Sequence, residues 1–221
     1  GKPLLSIFRP ITMVEGLGGF AATRDALAWL DDQCRRAGLA GVHLQAIFAG
    51  GRLGDRMGFS AGGATGRRAD DRSDQRSARN VSAGDSDQPR AGDIYTELPF
   101  SSLSGYQWVS MAAPEGTYAD WSKRAMAGEE IAASRYDIPY YPLVSIGWDN
   151  NARFPELKEG YVVDRTPEQF RDNLRKAREA AEKRDVRPRL ILINAWNEWT
   201  EDSYLLPDRE FGCAYLEAVR D

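Results

Sequence analysis

The chain has 221 residues, with 29 Lys and Arg against 33 Asp and Glu (net charge −4) and 42% hydrophobic residues. That balance is globular, no run approaches the ~18 apolar residues of a membrane span, and the mild negative charge gives nucleic acid no electrostatic reason to bind. One histidine, His43, and two cysteines, Cys34 and Cys213, exclude by count a three-histidine metal site, a zinc finger and a disulfide framework. No signal peptide opens the chain, which favours the cytoplasm, and Gly1-Lys2-Pro3 running straight into apolar sequence reads as an internal starting point.

The first unit reads strand, loop, helix. An apolar run over 4–8 is stopped by Pro10, and a Gly-rich loop follows through Gly16, Gly18 and Gly19. Thr23 then caps a helix whose Leu27, Leu30, Cys34 and Ala37 fall on one face and which Gly38 closes. Residues 42–48 alternate as a strand. From Ser60 to Asp93 the only large aliphatic or aromatic residue is Val81, so a disordered insert is expected over about 50–93.

Order returns at Ile94 and Tyr95. A helix is expected over 118–126 and a strand over 143–146. Thr166, Pro167 and Gln169 form the start of a capped helix, with Phe170, Leu174, Ala177 and Ala181 lining one face. Residues 190–193 are continuously apolar, as in a parallel strand covered on both faces. A last helix is expected from Asp208, turning Phe211, Tyr215 and Ala218 inward. Strands alternating with helices predict an α/β fold with a parallel sheet. A (β/α)8 TIM-barrel-like fold usually takes ~250 residues, so the expectation is one domain over 1–221, an incomplete barrel, with an open doubly wound sheet as the alternative. An open parallel edge offers unpaired backbone groups, so self-association is expected.

Three motifs carry little. Ser60 sits in a G-x-S-x-G pattern, but no strand precedes it and the sole histidine lies upstream. The glycines at 16–19 miss the spacing of a dinucleotide-binding loop. Asn80-Val81-Ser82 is a formal glycosylation sequon that chance supplies. His43, mid-strand, reads as a hydrogen-bonded core residue or a sugar contact.

The stretch after residue 193 is different. A strand ends in Asn194, Trp196, Asn197, Glu198, Trp199 and Glu201. Active sites of barrel enzymes sit at the carboxyl ends of parallel strands. Two carboxylates are the minimal set for acid–base work on a glycosidic bond, indoles give flat faces for sugar rings, and amides match hydroxyls. Trp148, Asp149, Asn150 and Asn151, with Arg153 beyond, repeat the pattern after the strand at 143–146.

These residues carry a resemblance. Asn-Ala-Trp-Asn-Glu-Trp-Thr-Glu at 194–201, followed by residues 204–208 and 211–216, resembles the C-terminal signature of WbsX-type polysaccharide-biosynthesis proteins, which are allied to the family-99 glycoside hydrolases (endo-α-mannosidases). The opening segment with Arg9 and the block from Gly147 to Arg153 resemble two further motifs of that family. The family usually has Gly and Glu where this chain has Asp202 and Leu206. The resemblance implies a (β/α)8 barrel whose first strands precede Gly1, and retaining cleavage of α-mannosidic bonds through a 1,2-anhydro-sugar. Glu198 would take the proton of the 2-hydroxyl and Glu201 would serve as acid and base at the glycosidic oxygen. Trp148, Asp149, Asn150, Asn194, Trp196, Asn197, Trp199, Arg9 and Tyr204 would hold an oligosaccharide or polysaccharide. No metal or organic cofactor is implied. The alternatives are a WbsX-type glycosyltransferase or accessory protein of surface-polysaccharide assembly, and a non-catalytic carbohydrate-binding protein.

Overall fold

The computed structural model describes residues 1–48, 91–185 and 187–220. The Ser60 motif, the Asn80 sequon and the expected disorder lie outside them, except that 91–93 belong to a helix.

The chain begins with β1 (Leu4–Ile7), α1 (Pro10–Leu17), α2 (Phe20–Arg36) and β2 (His43–Phe48). It continues through α3 (Ala91–Glu97), β3 (Ser102–Gly105), α4 (Tyr118–Arg135), β4 (Leu143–Ser145), α5 (Pro167–Lys183) and β5 (Leu192–Asn194). A small hairpin, β6 (Asn197–Glu198) and β7 (Ser203–Tyr204), and α6 (Ala214–Arg220) complete it. β1, β2 and β3 pair in that order, all parallel, and β4 pairs parallel with β5. A parallel bridge between Leu103 and Tyr140 joins the two groups, through Leu103 N–H to Pro139 O and Tyr141 N–H to Leu103 O, both 2.8 Å. Strands consecutive in sequence are therefore neighbours in space, as βαβ connections require.

Helices cover one face of this array. Leu44, Ala46 and Leu103 pack beneath Val14, Leu27 and Ile94. Val144 and Ile146 pack with Trp108, Tyr118, Trp121, Phe170 and Tyr215. Each such large side chain, fully buried, contributes ~1.5–3 kcal/mol, so the aromatic cluster around Trp108 dominates this part of the core. The described strands form an open array and close no barrel. β1 and β5 are its edges: Leu4 and Leu5 are 48% and 41% exposed, and Leu192 and Ile193 are half-buried rather than covered on both faces.

Several elements differ from the sequence-based expectation. Pro10 starts α1 rather than merely ending β1, because a proline at the first helical position loses no hydrogen bond. The glycines expected as a loop end α1 instead: Gly18 adopts φ 87°, and the Gly18 and Gly19 N–H groups bond Glu15 O and Val14 O. Gly19 precedes α2, and Thr23 lies inside it, buried, with its hydroxyl donating to Gly19 O at 2.8 Å. α4 runs nine residues past 126, to Arg135, from a Thr117 cap that accepts from Asp120 N–H. β3 carries no β-branched residue and gave no strand signal. Asp208 caps a tight turn, accepting from the Glu210 and Phe211 N–H groups at 3.0 and 2.6 Å, so α6 starts only at Ala214. α5 has the expected capping box, with Thr166 and Gln169 bonded reciprocally.

Candidate active site

Because the array is parallel, the residues following β1, β3, β4 and β5 emerge on one side of it. After β5, Asn194 is buried. Its backbone O accepts from Ile146 N–H at 2.9 Å, and the Ser203 hydroxyl reaches both its O and its Oδ1 at 2.9 Å. Asn194 thus spends its side-chain oxygen bracing the hairpin. The Asn194–Ala195 peptide is cis. β6 and β7 pair antiparallel, Asn197 with Tyr204 and Glu198 with Ser203, around a 3₁₀ turn over Trp199–Glu201.

After β4, Asp149 Oδ1 accepts from Asn151 N–H and Nδ2 at 2.8 and 2.7 Å, and Asn150 precedes a 3₁₀ turn ending in Arg153. The two sequence clusters meet here. Asp149 N–H donates to Glu201 O at 2.9 Å. Arg153 Nη1 lies 2.9 Å from Glu201 Oε1, its Nη2 3.3 Å from Glu198 Oε2, and its Nε donates to Thr200 Oγ1 at 2.8 Å.

The carboxylates sit in unlike surroundings. The Glu201 side chain is 10% exposed and that of Glu198 38%. Glu201 Oε2 is buried with no hydrogen-bond partner among the described residues. Burial raises the Glu201 carboxyl above the usual range; Arg153 opposes this and Glu198 adds to it. Tyr106, just past β3, was not singled out in the sequence. Burial raises its phenol, with Glu201 and Glu198 adding to the effect, and its ring meets Phe8, just past β1, edge-on at 4.7 Å. The only sequence signal for it is an aromatic residue at a strand end, and the strand itself was illegible.

Trp196 and Trp199 are 58% and 47% exposed, and Trp199 stacks on Tyr204 at 4.0 Å between ring centroids. Asn197 is exposed, whereas Trp148 packs partly into the core. Arg9 follows β1 on the same side of the array, and its exposed side chain has no hydrogen-bond or ion-pair partner among the described residues. Arg165, also missed in the sequence, holds Asp202 in a fork, with Nε to Oδ2 at 2.8 Å and Nη2 to Oδ1 at 2.5 Å. Burial works against its charge, but Asp202 more than offsets this and raises its pKa. His43 Nε2 pairs with Ser102 Oγ at 2.8 Å and its ring stacks on Tyr141, which is the hydrogen-bonded core role. Among the described residues no three His, Cys, Asp or Glu side chains are grouped to hold a metal ion, and no helix is long and apolar enough to cross a membrane.

Paired carboxylates beside exposed indoles at the carboxyl ends of parallel strands are the equipment of carbohydrate-active α/β proteins. The model of the family described as glycosyltransferase WbsX matches residues 1–219, and the chain belongs to that family. It is also 36% identical, over 108 residues, to the uncharacterized protein WxcX of Xanthomonas campestris pv. campestris in two strains. That match covers 48% of this chain and 15% of the relative, so the chain corresponds to a small part of those proteins. No solved structure matches the chain significantly.

Proposed function

We propose that the chain cleaves α-linked, mannose-type glycans with retention, assisted by the sugar's own 2-hydroxyl. The observation that carries this reading is the unlike pair under one guanidinium: Glu201 buried with a free Oε2, Glu198 open to solvent. A buried carboxyl that keeps its proton suits a general acid, and a solvated one suits a base. Glu198 removes the 2-hydroxyl proton, and O2 attacks C1 as the bond from C1 to the leaving oxygen breaks. Glu201 passes its proton to that oxygen. Water then opens the 1,2-anhydro-sugar at C1, giving a proton to Glu201, while O2 recovers its proton from Glu198. Trp196, Trp199, Asn197 and Arg9 line the approach and bind the flanking sugars. The ordered parallel run β1–β5 supports reading the array as an arc of a (β/α)8 barrel.

The family's name favours a second reading, a glycosyltransferase of surface-polysaccharide assembly. One assay separates them. The protein is incubated with α-mannan and a panel of bacterial surface glycans, with and without nucleotide sugars. New reducing ends without a nucleotide sugar support cleavage. Release of nucleoside diphosphate that depends on a glycan acceptor supports transfer and overturns the cleavage reading.

A further inference from the structure

We propose that Arg165 is the positioning residue of this site, holding the Glu201 backbone through Asp202 and the Trp199 platform through Tyr204. The inference rests on the reading of Glu201 as the working acid and concerns what keeps it in place. Asp202 directly follows Glu201 and closes its 3₁₀ turn with φ 49° and ψ 35°, a left-handed conformation that glycine adopts freely and other residues adopt at a cost. Aspartate enters this conformation more readily than most side chains but still at a cost relative to glycine, so a fixed partner for its carboxylate steadies the turn.

Arg165 is that partner. Its side chain is 9% exposed, and it leads into the capped start of α5, a rigid support. Its fork grips both oxygens of Asp202. Two further donors are also used: Nη1 reaches Tyr215 Oη at 3.1 Å and Nη2 reaches Tyr204 Oη at 3.3 Å. The Tyr204 hydroxyl donates in turn to Asp208 Oδ2 at 3.0 Å, and its ring carries Trp199. The guanidinium lies 5.2–5.8 Å from the ring centroids of Tyr204, Phe211 and Tyr215, a stacked, bidentate site that lysine cannot reproduce. From the other side, the Asp202 carbonyl is so close to Gly147 that a side chain there would meet it at 2.6 Å. One guanidinium thus fixes the turn bearing the proton donor and the aromatic face beside it.

The test needs no substrate, so it stands or falls separately from turnover. Carboxyl groups are labelled with ¹³C-glutamate, Glu201 is assigned by its loss in Glu201→Gln, and its titration is followed by NMR in the wild type, Arg165→Met, Arg165→Lys and Arg165→Met with Asp202→Gly. Without the clamp, Glu201 becomes more solvated, so in Arg165→Met its midpoint falls measurably towards the ordinary glutamate value. Arg165→Lys behaves likewise. In the double variant glycine holds the left-handed turn unaided and no half-buried carboxylate is left without its partner, so the midpoint returns to the wild-type value. If Arg165→Met does not fold, the lysine and double variants give the same comparison. Wild-type titration of Glu201 in folded Arg165→Met or Arg165→Lys, or no recovery in the double variant, overturns the proposal.

Discussion

The Arg153 guanidinium divides itself between Glu198 and Glu201, one nitrogen to each, at 3.3 and 2.9 Å. The three residues arrive from two loops 45 and more positions apart, and no local force brings them together. Only the parallel pairing of β4 with β5, which delivers both loops to the same side, does so. The pair of carboxylates would repel without the cation between them, and the cation biases the more buried one towards ionisation.

Arg153→Met removes that bias. Since burial and Glu198 both push Glu201 up and Arg153 pulls it down, the variant's Glu201 should titrate higher than the wild type's. The alkaline limb of any pH–rate profile moves up with it, and carboxyl NMR reads the same shift without substrate. An unmoved midpoint would show that the contact carries no electrostatic weight.

Gly147→Ala should disable the same corner by crowding. The added methyl would stand 2.6 Å from Asp202 O and 2.8 Å from Arg165 Cδ. Overpacking of this kind costs ~1–3 kcal/mol, and here the opposing atom is backbone, which gives little. Thermal melting should show a Tm several degrees lower, with the Glu201 titration disturbed as well.

The start of α5 and the two carboxylates were legible in the sequence because their signals are local. The cap, the proline and the box glutamine of α5 lie within four residues, and Glu198 and Glu201 lie on one short segment. Signals that depend on distant partners were not legible. Arg165 stands 37 residues from Asp202, and nothing in its neighbours announces the fork. Pro10 has the same appearance whether it stops a strand or opens a helix; the spacing of Ile11, Val14 and Leu17 was the available clue. β3, with serines and a glycine where strands prefer branched residues, is a strand only because β2 and the segment before β4 flank it.

Away from the site, Glu129 on α4 makes stability depend on pH. Its carboxylate accepts from Leu143 N–H at 3.0 Å and Tyr140 Oη at 3.2 Å, beside Arg184 and Glu130, yet burial pushes it up to about 8. A carboxyl raised on folding holds a proton that the unfolded chain has already lost. Stability should therefore fall as pH rises from about 4.5 to about 8 and then level off, by a few kcal/mol in all. Glu129→Gln keeps the shape and should flatten that slope in urea unfolding measured across the range. A slope that is the same in both proteins contradicts the assignment.

The central claim, that Glu201 donates and Glu198 receives a proton in glycan cleavage, is tested most directly by reducing-end release from α-mannan and bacterial surface glycans. Wild type, Glu198→Gln and Glu201→Gln are compared, with circular dichroism as the check on folding. Each substitution should lower the rate by at least ~10²-fold, the usual scale of general acid–base catalysis, and leave the fold intact. Turnover undiminished in both folded variants would contradict the account.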